Sequence, residues 1–254
     1  MIKKLLALFS FILISVSQIH AQGFDAGKVH LGLKIGLNFS GFTGDIAQFD
    51  RSTPGYAGSV YAGYSNYFRI TCHGGVTADY PISHIFSVAA ELLYNGRGGA
   101  YQIENDSVIQ YDNDGNQTTA YDTYTFRMDY VEAPLLLQYK LAIREAGVSY
   151  FLYGGLSPAI AVKTKTNDQY YFPGDSPEDV KSTSKTANLN YASGLTVSPV
   201  IGFLIRDKEK RLVQLFGDIR FEYSASPVFN RSSSGGSTLR TNMWTCMLGL
   251  GVRF

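Results

Sequence analysis

Charge is scarce in this sequence: Asp, Glu, Lys and Arg make up 17% of its 254 residues, against about a quarter in an ordinary soluble domain. No sign dominates, with 22 Lys and Arg against 21 Asp and Glu. That balance removes the usual reason to expect a nucleic-acid partner. Two cysteines, Cys72 and Cys246, are too few for a disulfide scaffold, and no His/Cys grouping has zinc-site spacing. Beyond the first 22 residues no apolar run reaches the 18 or so residues that a membrane-crossing helix needs. No G-x-S-x-G nucleophile motif occurs. The acidic stretch Tyr111-Asp112-Asn113-Asp114-Gly115-Asn116 fails as a calcium loop, because placing Gly115 sixth puts Gln110 first and Tyr121 twelfth, where carboxylates are required. An Asp-Gly hairpin tip is the simpler reading. No cofactor, metal or catalytic set is expected.

The amino-terminus has the layout of a secretory signal peptide: Lys3 and Lys4, an apolar run from Leu5 to Val16, then small residues up to Ala21. Cleavage is expected between Ala21 and Gln22, leaving 22–254 as one domain with 20 basic and 21 acidic residues. Gln22, not Cys, stands directly after the cleavage point, which speaks against a lipid-anchored terminus. An exported chain of this kind is either soluble or crosses a membrane as a closed sheet.

Alternation with period two runs through the rest. It covers Lys28–Ser40, Phe68–Tyr80, Phe86–Asn95, Tyr124–Leu141, Val148–Lys163, Leu189–Ile205, Leu212–Tyr223 and Asn242–Phe254. In the first of these, Val29, Leu31, Leu33, Ile35, Leu37 and Phe39 form one face and small or polar residues the other. The fourth segment is less clean, since Phe126 and Met128 differ in parity from Val131, Ala133, Leu135 and Leu137. A bulge or register change near Asp129 would reconcile them. Connections alternate long and short: long loops at Gly41–Tyr67, Gly96–Thr123, Thr164–Asn188 and Ser224–Arg240, short turns at Pro81–His84, Ile143–Gly147 and Arg206–Arg211.

Sharp alternation alone does not say which face is inside, because a soluble barrel buries its apolar face and a membrane barrel exposes it. The export signal, the loop asymmetry, the aromatic strand ends and the aromatic carboxy-terminus decide for the membrane. The expected fold is therefore an all-β, eight-stranded antiparallel up-and-down transmembrane β-barrel with long outer loops and short periplasmic turns, in the outer membrane. Its lipid face would exclude charge, since an Arg or Lys at mid-bilayer costs about 2–4 kcal/mol there. Lys34, Glu91, Asp218, Arg220, Glu222 and Arg253, all on the non-apolar parity, would then form a polar network in a barrel just wide enough for side chains. A narrow ion path or small-ligand pocket is the alternative use of the same residues.

On the last strand Trp244, Leu248, Leu250, Val252 and Phe254 share the apolar parity. They are the candidate carboxy-terminal assembly signal, read by the barrel-assembly machinery during insertion. Cys72 and Cys246 share the lipid-facing parity and should be separated by the first strand. Two neighbours of one strand lie about 9–10 Å apart, too far for a disulfide, so two free thiols are expected.

The segments GLKIGLN (Gly32–Asn38), ELLYNGRG (Glu91–Gly98) and YVEAPLLLQY (Tyr130–Tyr139), with the Gly-rich closing strand, resemble the PorT-like outer-membrane β-barrel family of Gram-negative bacteria. The resemblance implies a small envelope barrel, with one branch of that family associated with a protein secretion route. It carries no catalytic residues. Expected partners are outer-membrane lipids, the assembly machinery, and a protein partner through the Tyr-rich long loops (Tyr56, Tyr61, Tyr64, Tyr101, Tyr111, Tyr121, Tyr170 and Tyr171). Those tyrosines fit an aromatic rim or self-packed cap equally well. The functional readings are a non-enzymatic barrel displaying its loops, an accessory component of a secretion or assembly machine, and a narrow channel or ligand carrier, with an enzyme last.

Overall fold

A computed structural model of the chain describes residues 28–43, 65–111, 114–143, 147–173, 180–189, 192–207, 213–232 and 238–254. The leader with Ala21 and Gln22, Tyr56, Tyr61 and Tyr64, and most of the charged turn after Arg206 lie outside the described residues.

Eleven strands follow one another: β1 (His30–Thr43), β2 (Ser65–Pro81), β3 (Phe86–Tyr111), β4 (Gln117–Glu132), β5 (Leu135–Lys140), β6 (Val148–Pro173), β7 (Val180–Asn188), β8 (Leu195–Asp207), β9 (Gln214–Tyr223), β10 (Phe229–Ser232) and β11 (Thr238–Arg253). All pair antiparallel, and β11 returns to β1 from Gly32↔Arg253 to Thr43↔Asn242, so the sheet closes on itself. Strands β4 and β5 are two halves of one stave, both lying between β3 and β6. Pro134 interrupts them because it has no amide to donate. The wall stays continuous there through Glu91 N to Pro134 O (3.0 Å) and Ala133 N to Pro158 O (2.9 Å). Counted as staves, the wall has the eight positions that the alternation predicted.

Three further differences from the sequence reading lie above the wall. Much of the expected loop Gly96–Thr123 is strand, since β3 and β4 pair as far as Tyr111↔Gln117 with Asp114-Gly115 in the turn and Gly115 at φ +80°. Likewise β6 and β7 form a hairpin from Lys165↔Asn188 to Pro173↔Val180 where a loop was expected, and β10 pairs with the start of β11. Strand β7 carries no apolar face from which alternation could be read. Every residue of Lys181–Asn188 is exposed.

Along the wall, burial is the inverse of that in a soluble protein. Ile35 is 70% exposed and its neighbour Lys34 only 2%. Leu31, Leu33 and Leu37 point out with Ile35, while Asn38 and Ser40 point in with Lys34. The same holds at Ile201 and Ile219 against Ser198 and Asp218. The apolar parity therefore forms the outer surface, and the small and polar parity forms the core.

The bulge expected near Asp129 is present but belongs to the partner strand. Asp129 pairs with Lys163 and Tyr130 with Ala161, leaving Val162 extra on β6. Strand β4 itself keeps unbroken parity, with Ala120, Asp122, Tyr124, Phe126, Met128, Tyr130 and Glu132 all buried. Phe126 and Met128 are interior residues and needed no change of register.

Candidate functional site, the interior of the barrel

Charged side chains line the middle of the lumen because the wall around them alternates with glycine. Gly36 and Gly249 are directly opposed across β1 and β11. A Cβ at Gly249 would lie 2.7 Å from Lys34 Cε and still closer to Asp218 Oδ1. A Cβ at Gly36 would overlap the His73 ring. The missing side chains are what allow Lys34, Asp218 and His73 to lie flat over the backbone.

On that floor Lys34 Nζ is 2.7 Å from Asp218 Oδ2 and 3.8 Å from Glu91 Oε1. Arg220 donates to Glu91 Oε1 from Nη2 (2.8 Å) and to the Tyr153 hydroxyl from Nε (3.2 Å). Tyr153 in turn donates to Asp218 Oδ2 at 2.6 Å. Arg220 Nη1 is 3.7 Å from Glu222, and Arg97 bridges Glu222 to Glu132. Asn95 donates to Glu132 Oε2 at 2.9 Å. Asn38 donates to Gly96 O at 2.9 Å, which turns its Oδ1 to His73 Nδ1 at 2.6 Å. Since Oδ1 only accepts, His73 carries its proton on Nδ1.

Three cations, Lys34, Arg97 and Arg220, thus face four carboxylates, Glu91, Glu132, Asp218 and Glu222, all buried. Isolated, each such charge would cost several kcal/mol to desolvate, so the lattice stands or falls as a connected set.

Five of the six network residues named from sequence meet here. Arg253 does not: it lies at the turn-bearing end, where Arg253 (3.0 Å) and Arg206 (3.3 Å) share Asp79. Arg206 also lies over the Phe151 ring, 4.8 Å from its centroid, and donates to Gln138 at 3.4 Å. Sequence reasoning missed Arg97, Glu132 and Tyr153. Arg97 lay in what read as a loop, and Tyr153 carries no charge to mark it as a network member. Glu132 was hidden by the supposed register change, although unbroken parity from Ala120 would have placed it inside.

Above the lattice the lumen turns apolar. Phe42, Phe126 and Phe229 meet at centroid distances of 5.1–5.5 Å, and Tyr101 stacks on Tyr124 at 4.6 Å. Tyr170 meets Tyr124 edge-on, and Met243, Val228 and Leu189 complete the plug. Tyr101 and Tyr170 are therefore part of a self-packed cap, whereas Tyr111 and Tyr121 of the same hairpin are exposed.

The carboxy-terminal residues Leu248, Leu250 and Phe254 are exposed on the outer face, with Trp244 and Val252 half-buried beside them. Leu248 opposes Leu37, Leu250 opposes Ile35, and Phe254 N donates to Leu31 O at 2.8 Å. Cys72 and Cys246 are free and lie on either side of β1, opposite Leu37 and Phe39 respectively.

A family model described as an outer membrane protein beta-barrel domain matches residues 17–230. No curated protein matches the chain. Among solved structures it is similar to the attachment invasion locus protein Ail of Yersinia pestis (13% identity, 89% of this chain and 99% of that one, TM-score 0.36). It is also similar to AlkL solved in DMPC bilayers (14%, 93% and 95%, 0.41) and to the outer membrane protease OmpT of Escherichia coli (8%, 92% and 99%, 0.41). At these scores nothing about activity follows from the likenesses.

Proposed function

The chain belongs to the outer membrane protein β-barrel family and lies in the outer membrane, and we propose that within it the protein is a non-enzymatic interaction barrel that displays its outer hairpins. The observation that carries this reading is the division of labour between a filled lumen and projecting strands. The lumen holds an arginine-paired end, an ion lattice and an aromatic plug, which leaves the interior committed to structure. The β3–β4 and β6–β7 hairpins continue past the wall as a paired sheet, with Tyr111, Tyr121 and the polar face of β7 exposed. A rigid scaffold presenting aromatic and polar groups suits partner recognition.

The sharper version is an accessory component of a secretion or assembly machine, the role suggested by the PorT-like resemblance. A photo-crosslinking residue at Tyr121 should capture a discrete envelope protein in intact cells, and one at Leu215 should capture none. Equal capture from both positions would remove the display reading. The channel alternative makes the opposite electrical claim: on the display reading purified protein in planar bilayers should be silent, and steady single-channel steps would favour a conducting role.

Processing after Ala21 and recognition of Trp244, Leu248, Leu250, Val252 and Phe254 by the assembly machinery complete the proposal. Phe254→Asp should lower the membrane-inserted amount while leaving synthesis unchanged. Normal insertion of that variant would remove the terminal signal from the account.

A further inference from the structure

At one place on the outer face the apolar band gives way abruptly to positive charge. On β6 the bulge puts Val162, 54% exposed, beside exposed Lys163. Lys165 follows two residues on. On β4 the outward parity runs Val131, Asp129, Arg127, with Asp129 opposite Lys163 and Arg127 opposite Lys165. Arg127 in turn opposes Gly98 on β3, which puts no side chain between it and the next cation. That cation is Arg69, half-buried, which donates to the Arg97 carbonyl at 2.8 Å and would lie 3.4 Å from a Cβ at Gly98. It is near enough to Arg127 and Asp129 to feel both charges.

Among the described residues the four cations share one carboxylate, Asp129, which also interacts with the Tyr94 hydroxyl. The next carboxylate on that parity of β3, Glu104, is six residues from Gly98, about 20 Å along a strand. Like charges directly opposite across a strand pair destabilise the sheet, yet Arg127 and Lys165 are paired in this way. Arg127 and Lys165 lie three to four residues, or ~10–13 Å, past Val162 and Val131, on the end away from the short turns.

We propose that Arg69, Arg127, Lys163 and Lys165 form a binding site for the phosphate groups of an outer-leaflet lipid. Arg127 and Lys165 hold the phosphate oxygens through charge-assisted hydrogen bonds. The acyl chains run down the apolar wall beside Val162 and Val131.

Native mass spectrometry of the protein in detergent micelles tests this, with bisphosphorylated lipid A, its fully dephosphorylated form and inorganic phosphate as separate probes. The expected result is retention of lipid A, lost with the dephosphorylated form and not reproduced by inorganic phosphate. Arg127→Gln with Lys165→Gln should weaken retention about tenfold, whereas Lys181→Gln with Lys185→Gln on β7 should leave it unchanged. Heat-modifiable gel migration should show both double variants folded, and Lys163→Gln alone gives a milder second reading. Retention that ignores the phosphates, or that survives the Arg127 and Lys165 changes, would overturn the proposal. Equal binding of inorganic phosphate would assign the cluster to a free anion instead of a lipid.

Discussion

The middle and the outer end of this barrel solve one packing problem with opposite chemistry. Both must fill a lumen enclosed by eight staves. The middle uses Lys34, Arg97 and Arg220 against four carboxylates, and the outer end uses Phe42, Tyr101, Phe126 and Phe229. A charge lattice depends on every partner, because one deletion leaves a buried charge uncompensated. An aromatic plug loses contacts roughly in proportion to the atoms removed. The middle should therefore be brittle and the plug graded.

The largest effect is expected for Arg220→Met, which strips a partner from Glu91, Asp218 and Glu222 together. A loss of about 3–5 kcal/mol should appear in urea unfolding from micelles. Phe126→Ala in the plug should cost about 3 kcal/mol by the same measurement; if it exceeded Arg220→Met, the contrast would reverse. Gly249→Val drives a branched side chain into the Lys34–Asp218 pair and should cost about 1–3 kcal/mol, with the same change at solvent-exposed Gly115 read separately as a turn effect. Smallest is the double change Lys34→Met with Asp218→Met. Removing both partners at once leaves the Tyr153 hydroxyl without its acceptor and should cost about 1 kcal/mol, well below either single change. Additive losses from the two singles would show that the pair is not coupled.

Much of the wall was legible in the sequence because it obeys a single rule. The segment from Leu31 to Phe39 alternates without exception, and so does Leu248 to Phe254, and the structure pairs these two strands directly. Legibility failed where the rule stopped being about hydrophobicity. Phe126 and Met128 are apolar yet interior, so an apolar residue did not mean lipid. The residues of β7 are polar yet strand, so a polar run did not mean loop. Arg97 combined both difficulties, standing in a supposed loop while pointing inward to Glu132 and Glu222. Which face was inside was also beyond the pattern itself, since alternation is the same for a barrel with its apolar parity in or out. Burial at Lys34 against Ile35 resolves it.

That inversion is the central claim, and a spin-label scan of β1 in lipid bilayers tests it most directly. Single cysteines at Leu33, Ile35 and Leu37, in a chain with Cys72→Ser and Cys246→Ser, should collide freely with dissolved oxygen and scarcely with a water-soluble nickel chelate. A label at Asn38 should be shielded from both. High chelate access at Ile35, or oxygen access that peaks on the Lys34 parity, would contradict the account.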